Sequence, residues 1–357
     1  MEPVRRRPVG AVTAVTATAA DDWTTPGVYE VAPGVLRVPL PLPNDGLKAV
    51  NVYVLVGDDG LVLVDSGWAV PEGRAQLDRA LRSRGWDVGD IRQFLVTHLH
   101  RDHLSLALAI RRATGAPIAL GAGERASLEL ILAPEHRPLR TQLDYLRSLG
   151  AEHVATRLRA AQAAAGPRPE EEPWAMPDQW LRDGEVLAAG RPLAVVETPG
   201  HTQGHVVFHD ESARLLFAGD HILPVITPSI GFEPALSPDP LGAFLRSLAL
   251  VRSRPDAVVL PAHGPVADSA HRRVDELVAH HGRRLDETEA AVRAGADTVA
   301  DVAAQLRWTR RLRTFDDLDP FNQMMAVTET DAHLIVLASQ GRVTRTAGAD
   351  GVLRHRV

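Results

Sequence analysis

The sequence predicts an α/β protein, and three observations carry that reading. Short apolar runs with the two-residue alternation of β-strands recur from Val28 to Leu260. Segments with apolar residues at helical spacing separate them. Several of the strand-like runs end in a histidine or aspartate beside glycine or proline, the places where a rigid scaffold can hold a site in loops at one edge of its sheets.

With 357 residues, the chain is long enough for one large domain and a smaller one. Its formal net charge of -6 gives no global pull toward nucleic acid or anionic membrane. Cysteine is absent, which excludes disulfides, thiolate metal ligands and cysteine nucleophiles, so any metal must be held by His and Asp/Glu. No apolar run is long enough to span a bilayer. Arg5, Arg6 and Arg7 precede a small-residue run, 9–20, that lacks the Leu, Ile or Phe of a secretory signal. Residues 1–27 therefore read as a disordered, unprocessed tail on a cytoplasmic protein.

Residues 28–31 and 35–40 alternate as strands around Pro33-Gly34. Two more strands, 51–56 and 61–64, join across Gly57-Asp58-Asp59-Gly60 to complete an antiparallel meander that ends in Asp65-Ser66-Gly67. A helix follows over 71–83, with Ala75, Leu77 and Leu81 on one face, and then a strand over 91–96. From 118 to 182 helix formers dominate (124–132, 139–149, 153–165) until a Pro/Glu-rich stretch at 166–177. This region, about 121–182, reads as a helical insertion across the face that carries the ligands. Trp174, Met176 and Trp180 either pack locally there or line a substrate pocket. Strand character returns at 193–196, 205–208, 215–221 and 257–260, with Asp239 as N-cap and Pro240 as first residue of a helix over 240–251.

The densest chemistry is Thr97-His98-Leu99-His100-Arg101-Asp102-His103, directly after the strand 91–96. In extended backbone His98, His100 and Asp102 face one cavity, while His103 opens the helix that follows. Three imidazoles and a carboxylate in six residues suit one or two borderline divalent cations, zinc above all. His201, Asp220 and His263 occupy later strand ends, and Asp65 an earlier one.

Taken in order, His98-Leu99-His100-Arg101-Asp102-His103, Gly200-His201, Gly219-Asp220 and Ala262-His263-Gly264 resemble the successive metal motifs of the metallo-β-lactamase superfamily. Asp65 matches its early strand-end aspartate. The resemblance covers about two-thirds of the chain and implies an αββα sandwich over residues 28–266. It implies that His98, His100 and His201 hold one metal, that Asp102, His103 and His263 hold a second, and that Asp220 bridges them. Asp65 would accept a hydrogen bond that fixes a ligand. The cofactors would be two divalent ions, zinc first, with iron or manganese as alternatives that nitrogen and oxygen donors also accept. Two such ions roughly 3.5–4 Å apart lower the pKa of a shared water toward neutrality, and Asp102 would orient the resulting hydroxide.

The antibiotic-hydrolysing members lack a bridging aspartate at the position of Asp220, which instead resembles the glyoxalase II, lactonase and ribonuclease Z branches. The expected substrate is accordingly a small acyl compound: an ester, thioester or lactone. The alternative is a metal-dependent ribonuclease or phosphodiesterase. His136, His153, His209, His280 and His281 match no motif and are expected at the surface, and His221 is given only a supporting role.

The C-terminal segment, 267–357, reads as a long helix over 268–294 with Val274, Leu277, Val278, Leu285 and Val292 on one stripe, a short helix over 298–306, a helix over 321–339 and a hairpin. This order resembles the small winged-helix domain appended in one branch of the superfamily. Asp316, Asp317 and Asp319 stand before the helix that would read nucleic acid, and they repel phosphates. The basic cluster Arg307, Arg310, Arg311 and Arg313 lies in the preceding loop. A structural module is the favoured reading, nucleic acid is disfavoured as a partner, and the long helix offers a face for a homodimer.

Overall fold

A computed structural model describes residues 22–43, 46–137, 139–165 and 174–357, so most of the expected tail lies outside the described residues. Strands β1 (Tyr29–Ala32), β2 (Val35–Pro41), β3 (Ala49–Gly57) and β4 (Gly60–Val64) form the expected antiparallel meander, with Gly57 paired to Gly60 across the turn. Helix α1 (Pro71–Ser83) has the bounds read from its periodicity. It leads to β5 (Ile91–Val96), α2 (Arg101–Thr114) and β6 (Ile118–Gly121). Helices α3 (Arg125–Leu132), α4 (Arg140–Ser148) and α5 (Glu152–Ala165) precede β7 (Gln179–Leu181). From β4 to β7 the strands pair in parallel, which completes a seven-stranded sheet in chain order.

The second sheet holds β8 (Val186–Ala188), β9 (Pro192–Glu197), β10 (Val206–Asp210), β11 (Leu215–Gly219) and β12 (Val258–Pro261), in the order β12-β11-β10-β9-β8. Only β11 and β12 are parallel, because α6 (Pro240–Ser253) crosses between them. The Asp239 side chain caps α6 at the amide of Gly242, and Pro240 needs no donor at the first helical position.

Both sheets are buried on two faces. Val62, Val64, Tyr53, Leu95, Phe208 and Phe217 meet in the core between the sheets. Their sequence neighbours Leu61, Leu63, Val52, Val54 and Phe94 point the other way, under α1 and α2. Val207, Leu216 and Ala218 face an outer layer that includes Phe244 and Leu248 of α6. Helix, sheet, sheet, helix is the layering that results.

The insertion divides between two cores. Leu128 of α3, with half-buried Trp174, Met176 and Trp180, packs on the layer beneath α1 and α2, so these three side chains serve local packing. Leu143 and Leu146 of α4 and Val154 and Leu158 of α5 join the opposite layer. That layer continues into α7 (Ala270–Arg293), α8 (Val299–Gln305) and α9 (Pro320–Ser339), followed by the hairpin of β13 (Thr344–Ala347) and β14 (Leu353–Arg356). Val278, assigned above to the buried stripe of α7, is 45% exposed, and His281 takes the buried place four residues after Leu277. Among the described residues, no helix is long and apolar enough to cross a membrane.

Candidate metal centre

Five strand ends converge. Asp65 follows β4, the His98–His103 run follows β5, His201 follows β9, Asp220 follows β11 and His263 follows β12. His98 and His100 lie in the turn before α2, but the helix starts at Arg101, so Asp102 and His103 reach the centre from its first turn. The extended alternation expected through Asp102 therefore stops at His100. Two glycines make the approach physically feasible. Gly200 has φ +143, and a Cβ there would stand 2.4 Å from the Cβ of Phe244. Gly219 has φ +49, and a Cβ would meet His205 Nε2 and Thr97 Oγ1 at 2.7 Å.

The candidate ligands form two adjoining groups. His98 Nε2 and His201 Nε2 each stand 3.0 Å from His100 Nδ1. On the other side, Asp102 Oδ2 lies 3.5 Å from His103 Nε2 and 3.3 Å from His263 Nε2. Asp220 faces both groups. Its Oδ2 is 3.5 Å from His201 Nε2, while its Oδ1 is 3.4 Å from His263 Nε2 and 3.7 Å from His103 Nε2. Among the described residues, three sets of donor atoms are close enough to share an ion: His98/His100/His201, His98/His103/Asp220 and Asp102/His103/His263.

Outward hydrogen bonds fix each ring. His201 Nδ1 donates to the Ser229 carbonyl at 2.7 Å, His263 Nδ1 to the Ala49 carbonyl at 2.8 Å and His103 Nδ1 to Asp65 Oδ2 at 3.0 Å. His100 Nε2 faces the Phe232 carbonyl at 3.4 Å, and His98 Nδ1 faces Thr97 Oγ1, itself bonded to Asp65. A nitrogen that donates outward leaves its partner nitrogen as a lone pair directed inward. His103 Nε2, His263 Nε2 and Asp220 Oδ1 are buried with no hydrogen-bond partner. Buried polar atoms are costly when unpaired, and lone pairs crowded to 3.0 Å repel, so the donor set fits cations rather than an empty polar pocket.

The electrostatics agree. Burial, reinforced by the neighbouring imidazoles, pushes His100 down to about 3 and holds His98 well below the ordinary imidazole range. Both are neutral and ligand-ready at pH 7. Burial opposes ionisation of Asp102 and Asp220, but the imidazoles of His103 and His263 outweigh it and hold both carboxyls below their usual range. Burial likewise disfavours charge on His103, yet Asp102, Asp65 and Asp220 drive its pKa upward. That pocket favours positive charge, and a divalent ion would satisfy the preference.

Sequence reasoning missed three parts of this assembly. Glu124 is fully buried, and its Oε1 accepts from Leu99 N at 3.3 Å and Thr202 Oγ1 at 2.5 Å, which ties the His98–His100 turn to the His201 turn. His205 stacks on His98, accepts from the Asp220 amide at 3.1 Å and bonds Thr198 Oγ1 at 2.8 Å. The irregular segment after Asp220 supplies the carbonyls of Ser229 and Phe232. The partners of Glu124 and of the Ser229 and Phe232 carbonyls are 25 or more residues away, and no motif marks His205 although Thr198 is only seven residues from it. Two surface assignments are corrected: His209 is 3% exposed beside Arg254, and His281 is fully buried with Nδ1 3.2 Å from His333 Nε2.

A family profile described as the metallo-beta-lactamase superfamily matches residues 45–263, more than half of the chain and all seven candidate ligands. The chain belongs to the metallo-beta-lactamase superfamily. A second profile, the metallo-beta-lactamase-like C-terminal domain, matches residues 285–357. Among superfamily relatives, the "Probable metallo-hydrolase YqjP" of Bacillus subtilis is 24% identical over 87% of this chain and 93% of its own length. A hydroxyacylglutathione hydrolase of Cereibacter sphaeroides is 30% identical over 50% of this chain and 52% of its own. The chain spans only 55% of the length of the lactamase-like protein nscB of Aspergillus fumigatus, at 27% identity over 67% of this chain. Among solved structures, a metallo-beta-lactamase family protein of Thermus thermophilus superposes with a TM-score of 0.73, at 28% identity, over 92% of this chain and 99% of that one. The expected order of the C-terminal segment, three helices and then a hairpin, holds in the structure. Superfamily members bind divalent metals, and the His/Asp groups of this chain offer donor sets of the kind such ions take.

Proposed function

We propose that the chain is a dinuclear hydrolase that cleaves an ester, thioester or lactone of a small acyl compound. The observation that carries this reading is Asp220, whose two oxygens face different groups of imidazoles, Oδ2 toward His201 and Oδ1 toward His103 and His263. His98, His100 and His201 would hold one ion and Asp102, His103 and His263 the other, with zinc preferred and iron or manganese accepted by the same donors. Bound there, the ions supply Lewis acidity to a carbonyl and lower the pKa of a water. Asp102 has the most open carboxylate of the centre, 16% exposed against 10% for Asp220 and 3% for Asp65. It accepts a hydrogen bond from the attacking water and aims it at the acyl carbon. Asp65 keeps His103 turned so that Nε2 faces inward.

Two relatives support an acyl substrate. The hydroxyacylglutathione hydrolase named above is one, and an atrochrysone carboxyl ACP thioesterase of Emericella nidulans, 23% identical over 72% of this chain, is the other. The test is an assay of the metal-loaded protein on thioesters, aryl esters, lactones and single-stranded RNA, with elemental analysis. Acyl hydrolysis is expected with near two metal equivalents, and Asp102→Ala should lower kcat by about a hundredfold or more. RNA cleavage without acyl hydrolysis would replace this reading with a phosphodiesterase, and a single equivalent would remove the dinuclear part.

A further inference from the structure

The rim of the centre on the His100 side is aromatic. The half-buried ring of Phe232 lies 6.1 Å from the His100 ring, centroid to centroid. Phe321 meets Phe232 at 5.5 Å with the planes 80° apart, so the two rings form a corner. Phe321 belongs to the first turn of α9, within the C-terminal stretch, and is 42% exposed. It is not a loose surface side chain. The Asp319 carboxylate caps the amides of Phe321 and Asn322, Pro320 fixes the first helical residue, and Gln323 is tied to Arg157 and to the Phe315 carbonyl.

On the opposite side of the centre, Val225 is 37% exposed and its Cγ2 lies 3.8 Å from where a Cβ on Gly264, next to His263, would sit. A second exposed apolar side chain thus lies beside the residue that follows His263. Exposed carboxylates precede the corner, with Asp316, Asp317 and Asp319 all within five residues of Phe321, while Arg157 donates to Gln323. Acidic neighbours repel phosphates and polyanions. Rings near 90° do not form the parallel faces that sandwich a flat base; they present one apolar face and one edge, against which an alkyl chain can pack.

We infer that Phe232 and Phe321 form an acyl-binding corner, and that the substrates of this centre carry an apolar acyl chain. The inference rests on the hydrolytic reading for its chemistry, but the corner's binding can be measured without turnover. Octanoate and acetate, the acids that hydrolysis of such acyl groups would release, are titrated calorimetrically into the metal-loaded full chain. Octanoate should bind about tenfold tighter or more, because burying several methylenes is favourable. Phe321→Ala should cut that octanoate-to-acetate ratio several-fold at unchanged metal stoichiometry, and Phe321→Leu should restore most of it. Equal binding of the two acids, or a ratio unaffected by Phe321→Ala, overturns the proposal. So does adenosine monophosphate binding tighter than octanoate in a Phe321-dependent manner, which would assign the rings to a base. A protein with the octanoate preference that fails to hydrolyse octanoyl esters and thioesters would lose the hydrolytic reading and keep the corner.

Discussion

Asp65 reaches the centre only through other side chains. Its Oδ2 holds His103 Nδ1 at 3.0 Å and its Oδ1 accepts from Thr97 N at 2.8 Å, from a left-handed backbone at φ 59. Replacing Asp65 with Asn removes the charge that orients His103, and metal affinity should fall about 10–100-fold in a chelator competition. Glu124 acts at one further remove. Burial pushes its carboxyl up to about 8 against the Thr202 hydrogen bond, with Glu233 adding to the rise. A neutral amide is therefore a fair substitute for it. Glu124→Gln should retain metal affinity far better than Glu124→Ala, which frees two ligand turns at once; equal losses in the same competition would show that packing alone matters there. Asp65 was legible through the match of its strand-end motif to the early aspartate of the superfamily. Glu124 was not, because its partner Thr202 is 78 residues away.

Among the elements, the turn between β9 and β10 is the most constrained. Gly200 places His201 while its α-carbon presses on Phe244 of α6, with the Phe244 backbone nitrogen 2.6 Å from where a Cβ would sit. Gly200→Ala should destabilise the fold by about 2 kcal/mol or more, from both the strained φ and the overlap, as read by urea denaturation. Elements with strong local chemistry were legible from the sequence. The helix α1 carries its period plainly, and Asp239-Pro240 announces α6. The edge strands β7 and β8 were not, because three residues each carry too little alternation to stand out. His281 was misread for a different reason. A polar side chain was assumed exposed, although the spacing of Val274, Leu277 and Leu285 already placed position 281 on the buried stripe.

Across the whole molecule, buried neutral imidazoles weaken the fold as the pH falls. Burial, helped by neighbouring charges, pushes His281 down to about 2 and His333 and His355 down to about 4. In the unfolded chain these groups titrate near 6.5. Between about pH 4 and 6.5 the unfolded chain therefore binds more protons than the folded one, so stability is full above that window and falls as the pH drops through it. Urea midpoints should decline from pH 7.5 to 5, and the decline should be shallower in His333→Gln; an identical slope would refute the assignment. The layered architecture and the convergence of the strand ends were legible because ligand motifs punctuate the strands in order. The rim was not, since Phe232 and Phe321 lie 89 positions apart and meet only after folding. The segment after β11 joins both levels, lending main-chain oxygens at Ser229 and Phe232 to two imidazoles while the Phe232 ring lies beside His100 and Val225 beside Gly264. Exchanging side chains there leaves the carbonyls where they are, whereas adding or deleting a residue displaces them. Point replacements in that loop should therefore change what the rim admits at unchanged metal affinity, whereas an insertion or deletion between Asp220 and Phe232 should weaken metal binding.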